Sequence, residues 1–156
     1  MHIRLIAVGD RQPSWVDAAF DEYAARLPRQ WQFRLDAIAT AKRTRGGTEH
    51  AARTGEGRKI LDKLKKAELV VLLDERGKQF TSRAYAELLD DWHNVGQDIV
   101  FVIGGPDGVS SEVRERANLV WSLSRLTLPH GLARVLFVEQ LYRAWSLNAG
   151  HPYHRD

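Results

Sequence analysis

The chain has 156 residues, 44% of them hydrophobic, which suits one globular core and is too apolar for a disordered polymer. It has no cysteine, which excludes a disulfide scaffold and a Cys-ligated zinc site. Its 23 Lys+Arg against 20 Asp+Glu leave a net charge of only +3. No apolar stretch approaches the roughly 18 residues of a membrane span, and MHIRLIAVGD lacks the core and cleavage pattern of a signal peptide, so a soluble, cytoplasmic protein with no membrane partner is expected.

Strand-like and helix-like runs alternate along the chain. Ile3 to Val8 is a strand-like run that ends at Gly9 and Asp10. Pro13 and Ser14 open a helix with Ser14 as its N-cap; Val16, Phe20, Tyr23 and Leu27 form its apolar stripe, and Pro28 closes it. Residues 31–38 alternate as a second strand, with Trp31, Phe33, Leu35 and Ala37 on one face. Residues 40–57 are polar and contain Gly46, Gly47, Gly55 and Gly57. Glycine inside a helix costs about 1 kcal/mol relative to alanine. A mobile loop is therefore expected there, with a basic helix firm only over 58–66 and Ile60, Leu61 and Leu64 as its apolar side.

Leu69 to Leu73 is continuously apolar, as buried parallel strands are. A third helix starts after Thr81 and Ser82 and buries Tyr85, Leu88, Leu89 and Trp92. Ile99 to Ile103 is a fourth strand that runs into Gly104-Gly105-Pro106-Asp107-Gly108. Ser110 or Ser111 caps a short helix reaching about Asn118, Leu119 to Leu123 is a fifth strand, and Leu132 to Asn148 is a long helix before the tail His151-Pro152-Tyr153-His154-Arg155-Asp156. This order predicts an α/β fold with a mostly parallel sheet and helices on both faces, in a single domain spanning 1–156.

The last helix is apolar around more of its circumference than one sheet can cover. Val135, Phe137, Val138, Leu141, Tyr142, Ala144 and Trp145 share one half, while Leu132, Leu136 and Leu147 lie on the other. The surplus predicts a twofold homodimer. Arg134 falls inside the apolar half and needs a carboxylate or carbonyl partner.

Charge is unevenly spread. Residues 1–78 carry 16 basic and 11 acidic side chains, a net of +5, whereas 79–156 carry 7 and 9. Nine cations fall within 42–66: Lys42, Arg43, Arg45, Arg53, Arg58, Lys59, Lys63, Lys65 and Lys66. Such a patch suits a polyanion such as RNA, or is simply a solvated surface; no aromatic side chains are interleaved to stack bases.

Ligands of open parallel sheets bind beyond the carboxyl ends of the strands. Three ends stand out: Leu72-Leu73-Asp74-Glu75, Ile103 to Gly108, and Leu123 to His130. Gly104 and Gly105 remove side chains where a strand stops, so a flat ligand or a crossing backbone can come close. Neither GxGxxG nor GxxxxGK[ST] occurs, which argues against NAD and ATP. His151 and His154 are spaced HxxH without HExxH or clustered acids, so no metal is expected, and no GxSxG marks a serine hydrolase.

The ordered set FVIGGPDG, then WSLSRLTLPHGLARVLFVEQLYRAWSLNAGHPYHR, resembles the ribosomal RNA large subunit methyltransferase H family of SPOUT-class methyltransferases. The likeness extends to the opening IRLIAVGDRQPSWV and to LDERGK; residues 40–57, with their extra glycines, depart from it most. It implies a SPOUT-type α/β knot, in which the C-terminal chain threads a trefoil knot, and a homodimer. It also implies S-adenosylmethionine as cofactor and methylation of N3 of a pseudouridine in 23S ribosomal RNA on the assembled 70S ribosome. The cofactor contacts it implies are Leu73, Gly104, Leu123, Ser124, Arg125, Leu126, Thr127 and Leu128, which lie at the three strand ends already singled out.

N3 of pseudouridine carries a proton that must leave. His154 is the first choice of base, with Arg155 to hold phosphate or a developing oxyanion, His130 as the second base and Tyr153 to stack on the target. The tail of one subunit is expected to complete a site with the basic 42–66 surface of the other. Two other classes compete: a non-catalytic RNA-binding module, and a flavodoxin-like nucleotide binder that would lack its phosphate loop.

Overall fold

The computed structural model describes residues 1–42 and 47–155. Its strands are β1 (Ile3–Val8), β2 (Arg34–Ile38), β3 (Leu69–Gln79), β4 (Ile99–Ile103) and β5 (Leu119–Ser122). The helices are α1 (Ser14–Ala24), α2 (Glu49–Lys63), α3 (Ser82–Asn94), α4 (Ser111–Arg116) and α5 (His130–Ala149). All strand pairs are parallel, in the order β2-β1-β4-β3-β5. β1 and β4 are buried along their whole length, which explains why, apart from Arg4, their sequences are apolar without alternation.

Successive residues point to opposite faces and divide the core in two. Ile3, Leu5, Ala7, Val71, Leu73, Ile99, Phe101 and Ile103 meet Phe20 of α1, Tyr85 and Leu89 of α3, and Phe137, Val138 and Leu141 of α5. Ile6, Val8, Val70, Leu72, Val100 and Val102 meet Ile60 of α2 and Val113 of α4. The faces follow from crossover hand. Connections stepping toward the β2 edge carry α1 and α3, and those stepping toward the β5 edge carry α2 and α4, so one handedness puts the two sets on opposite faces. α5 packs between α1 and α3.

Several expectations are corrected. Ser14 is the first helical residue and not the cap; Pro13 occupies the cap position with no side-chain hydrogen bond. Trp31 belongs to a short 3-10 turn, Gln32 takes a left-handed conformation (φ 47°), and β2 begins only at Arg34. Ala37 is accordingly exposed while Ile38 is buried on the opposite sheet face.

The largest correction concerns 40–57. Thr48 caps α2 by accepting from the Ala51 amide at 3.1 Å, and the helix runs straight through Gly55 and Gly57. Packing overrides propensity: a Cβ on Gly57 would stand 2.4 Å from Ser110 Oγ, so glycine is what lets α2 lie against the start of α4. The expected loop character of 43–46 lies outside the described residues. Ile60 is buried and Leu61 and Leu64 pack beside it, as the pattern predicted.

β3 is also longer than its apolar run. Leu73 and Lys78 both pair with Trp121, so Asp74 to Gly77 bulge out between them. Gly77 passes so close to β5 that a Cβ would sit 2.7 Å from backbone atoms of Val120 and Trp121. The bulge leaves β4 at Leu73 and continues along β5 alone.

At the opposite end of the sheet, buried Arg4 donates to Glu68 (Nε–Oε1 3.0 Å, Nη2–Oε2 2.8 Å), to Asp36 Oδ2 (3.0 Å) and to the Lys63 carbonyl (2.7 Å). This network ties β1, β2, the end of α2 and the start of β3 together. Among the described residues no helix is long and apolar enough to cross a membrane, and no cluster of His, Cys, Asp or Glu could hold a metal ion.

Candidate cofactor and active site

Three carboxyl-end segments converge on one cavity of about 620 Å³, within the range of small-molecule sites. Its walls come from the β3 bulge (Leu73 to Arg76), from the β4 exit (Ile103 to Val109) and from the segment joining β5 to α5 (Leu123, Ser124, Leu126, Thr127, Leu128, His130). Glu49 at the start of α2 completes the rim. The strand ends marked in the sequence are therefore neighbours in space.

The joining segment is shaped by its own polar side chains. Ser122 Oγ donates to the Ser124 carbonyl (2.8 Å), and Ser124 Oγ accepts from the Leu126 amide (2.9 Å). Thr127 Oγ1 donates to Glu75 Oε2 (3.1 Å), which joins the segment to the bulge. Leu126 is left 73% exposed, an apolar side chain on a cavity wall with nothing of its own chain to cover it. At Gly104 a Cβ would stand 2.6 Å from Val109 Cγ1 and 3.0 Å from the Gly108 carbonyl oxygen. It is thus the returning backbone of the same turn that comes close there.

Asp74 Oδ1 accepts from the Arg76 amide (2.8 Å), and its other oxygen accepts from Arg114 of α4. Burial works to raise its pKa, but the hydrogen bonds from Arg76 and Arg114 outweigh it and hold the carboxyl below its ordinary value. His130 is held below its ordinary value, first by burial and then by the neighbouring Arg134 cation, against a raising bond to Gly104. Both its nitrogens are engaged: Nδ1 donates to the Gly104 carbonyl (3.1 Å) and Nε2 accepts from Arg134 (2.9 Å).

Of the residues named from sequence, Leu73, Gly104, Leu123, Ser124, Leu126, Thr127, Leu128 and His130 line the cavity. Arg125 does not; its exposed guanidinium donates to Gln79 (2.9 Å). Tyr153, His154 and Arg155 are also elsewhere in this chain. Gly150 ends α5 in a left-handed conformation (φ 67°), and the tail folds back as a 3-10 turn, Pro152–Arg155. Tyr153 Oη donates to Glu139 Oε1 (3.0 Å), its ring packs on Tyr142 (4.6 Å), and Arg143 lies over it (5.1 Å). Glu139 is nine residues along α5 from His130, about 14 Å at 1.5 Å per residue. The tail and the cavity of one chain do not meet. Glu49 was missed because its segment reads as loop; the only sequence signal was Thr48 as a cap.

The cavity fits S-adenosylmethionine by its chemistry. Leu73, Leu123, Leu126 and Leu128 offer apolar walls to a flat base, the turn backbones offer donors and acceptors, and the carboxylates Glu75 and Asp107 suit a cationic ligand.

A family model described as a predicted SPOUT methyltransferase matches residues 1–154. The ribosomal RNA large subunit methyltransferase H of Thioalkalivibrio sulfidiphilus is 48% identical over 156 residues, covering all of both chains. The protein of that name from Hahella chejuensis is 44% identical, again over both whole chains. In fold, a probable methylase family protein from Haemophilus influenzae is similar with a TM-score of 0.59 at 13% identity, covering 97% of this chain and 67% of that one. Matches this long, with the cavity built from the same segments that carry the motif resemblance, show that the chain belongs to the SPOUT methyltransferases, in the ribosomal RNA large subunit methyltransferase H family.

Proposed function

We propose that the protein transfers a methyl group from S-adenosylmethionine to N3 of a pseudouridine in large-subunit ribosomal RNA, on the assembled ribosome. The active form would be a homodimer in which the segment after β5 is threaded as a trefoil knot. The observation that carries the reading is the convergence of the bulge, the Gly104 turn and the Leu123–Leu128 segment on one cavity with both apolar and charged walls.

Bound there, the cofactor supplies an electrophilic methyl group on a sulfonium. The residues of the chain position and deprotonate. Leu73, Leu123, Leu126 and Leu128 hold the adenosyl portion and exclude water, so that alignment of the reacting atoms lowers the barrier. The N3–H proton leaves as the N3–methyl bond forms. His154 is the better acceptor: its Nδ1 has no hydrogen-bond partner among the described residues, whereas both nitrogens of His130 are committed. Arg155 stabilises charge developing on the uracil oxygens, and Tyr153 stacks on the base.

The separation of tail and cavity within one chain supports a composite site, with the tail of one protomer reaching the cavity of the other. The exposed Leu126 and Leu132 beside the start of α5 support an apolar interface there.

The test is transfer of labelled methyl from S-adenosylmethionine to ribosomes purified from cells lacking the protein, with separated subunits and ribosomes lacking the pseudouridine alongside. Label in one nucleotide, dependent on pseudouridine and on the assembled ribosome, is expected. Cofactor binding without label would refute this substrate, and no cofactor binding would favour a non-catalytic RNA-binding role. Removing residues 151–156 is expected to abolish transfer and leave cofactor affinity nearly unchanged; parallel loss of both would refute the tail's part.

A further inference from the structure

Methyl transfer as described leaves no role for Arg134. Its side chain is large, 2% exposed, and among the described residues it forms no salt bridge. Nη2 donates to the Gly9 carbonyl at the end of β1 (2.8 Å) and to His130 Nε2 (2.9 Å), while Nε is buried with no partner. Burying a guanidinium is costly and is usually offset by a carboxylate. Here the cation spends its bonds on a carbonyl and an imidazole.

The donor sequence is fixed by elementary chemistry. An arginine N–H can only donate, so His130 Nε2 must be the acceptor and the imidazole proton sits on Nδ1. Nδ1 then donates to the Gly104 carbonyl at 3.1 Å, and Gly104 is part of the cavity wall. Gly9 on β1, the first turn of α5 and the β4 exit are joined by one run of bonds.

We propose that Arg134 is a positioning residue: by donating to Nε2 it holds His130 as a neutral Nδ1–H donor, and His130 in turn sets the Gly104 carbonyl in the cofactor wall. The proposal rests on the reading of this cavity as the cofactor site. Adding a proton to Nε2 would set two N–H groups against each other and open the run, so cofactor binding should weaken in acid. The charged groups around the ring are Arg134 on its own helix, Asp17 of α1, which acts on Arg134, and Glu49, Asp74, Glu75, Arg76 and Asp107 sharing the cavity. Burial and the Arg134 cation outweigh the raising bond to Gly104 and favour the neutral ring.

The experiment is NMR of the full chain labelled with 15N at histidine, from pH 5 to 8, with calorimetric binding of S-adenosylmethionine on the same samples. The wild type, Arg134→Met and Arg134→Lys are compared. Expected for the wild type is the Nδ1–H tautomer, with affinity falling in step with His130 protonation. In Arg134→Met the His130 titration should move to higher pH and affinity at pH 7 should drop about five- to tenfold, the scale of one hydrogen bond. Arg134→Lys, which keeps a donor and the charge, should recover part of that loss. A wild-type Nε2–H tautomer, or unchanged affinity in Arg134→Met despite a shifted titration, would overturn the proposal. Should Arg134→Met fail to fold, a wild-type affinity that ignores His130 protonation overturns it alone. Failure of the wild type to bind S-adenosylmethionine with the Nδ1–H tautomer intact would instead refute the cofactor reading, since the tautomer reports the relay without a ligand.

Discussion

Two glycines two residues apart in α2 are expected to respond to the same substitution with opposite signs. In a helix interior alanine is favoured over glycine by about 1 kcal/mol. At Gly55 nothing lies within 4 Å of a built Cβ, so Gly55→Ala should collect that gain. At about 2–4 °C per kcal/mol for a chain of this size, the melting temperature should rise by about 2–4 °C. At Gly57 the Cβ would stand 2.4 Å from Ser110 Oγ and 3.0 Å from Ser110 Cβ. Ser110 caps α4 by accepting from the Val113 amide (3.4 Å), so turning its hydroxyl away forfeits a cap of about 1 kcal/mol. Overpacking adds about 1–3 kcal/mol more. Set against the propensity gain, Gly57→Ala should lose about 1–3 kcal/mol, on the order of 2–12 °C. Because α4 follows the Gly104–Gly108 turn, its cofactor affinity should weaken too. Thermal melts and urea titrations of both variants supply the comparison. If both variants melt higher by the same amount, α2 is not seated on Ser110; if both melt lower, the helix does not run through Gly55.

Three other outcomes are expected. Glu68→Gln removes one of the two carboxylates paired with buried Arg4, leaving Asp36, and should cost about 1–3 kcal/mol in urea unfolding, while cofactor affinity, read by calorimetry at the other end of the sheet, stays unchanged. Tyr153→Phe deletes the hydroxyl bond to Glu139, worth about 1–3 kcal/mol with a charged acceptor; methyl transfer should fall while the cofactor dissociation constant holds, and a matching loss in both would refute a separate tail function. Asp74 is held below its unfolded value of 3.8, so its contribution is present above that value and is lost as pH falls through the lower, folded value. Arg114→Met should therefore lower the urea midpoint near pH 6, and the gap to wild type should begin to narrow below about pH 4 and close only as pH falls through the lower, folded value; a gap unchanged through that window would place the effect elsewhere.

The sequence by itself determined the order of elements, the parallel sheet and the three strand ends that form the cavity. Apolar runs such as Ile99–Ile103 have one reading when both faces of a strand are buried, and a ligand site at their carboxyl ends follows from parallel topology. It also singled out Arg134 as a cation needing a carboxylate or carbonyl partner, and the Gly9 carbonyl supplies one. Other features were decided only in three dimensions. Gly57 sits inside α2 because the start of α4 leaves no room for a side chain there, and the bulge after Leu73 lets Gly77 touch the β5 backbone. Whether Glu49 reaches the cavity, whether Arg125 faces Gln79 instead, and where the tail docks each depend on residues dozens of positions away. Local propensity is a sum over neighbours in sequence, whereas a close contact between distant segments is settled by packing, and at each of these places packing was the larger effect.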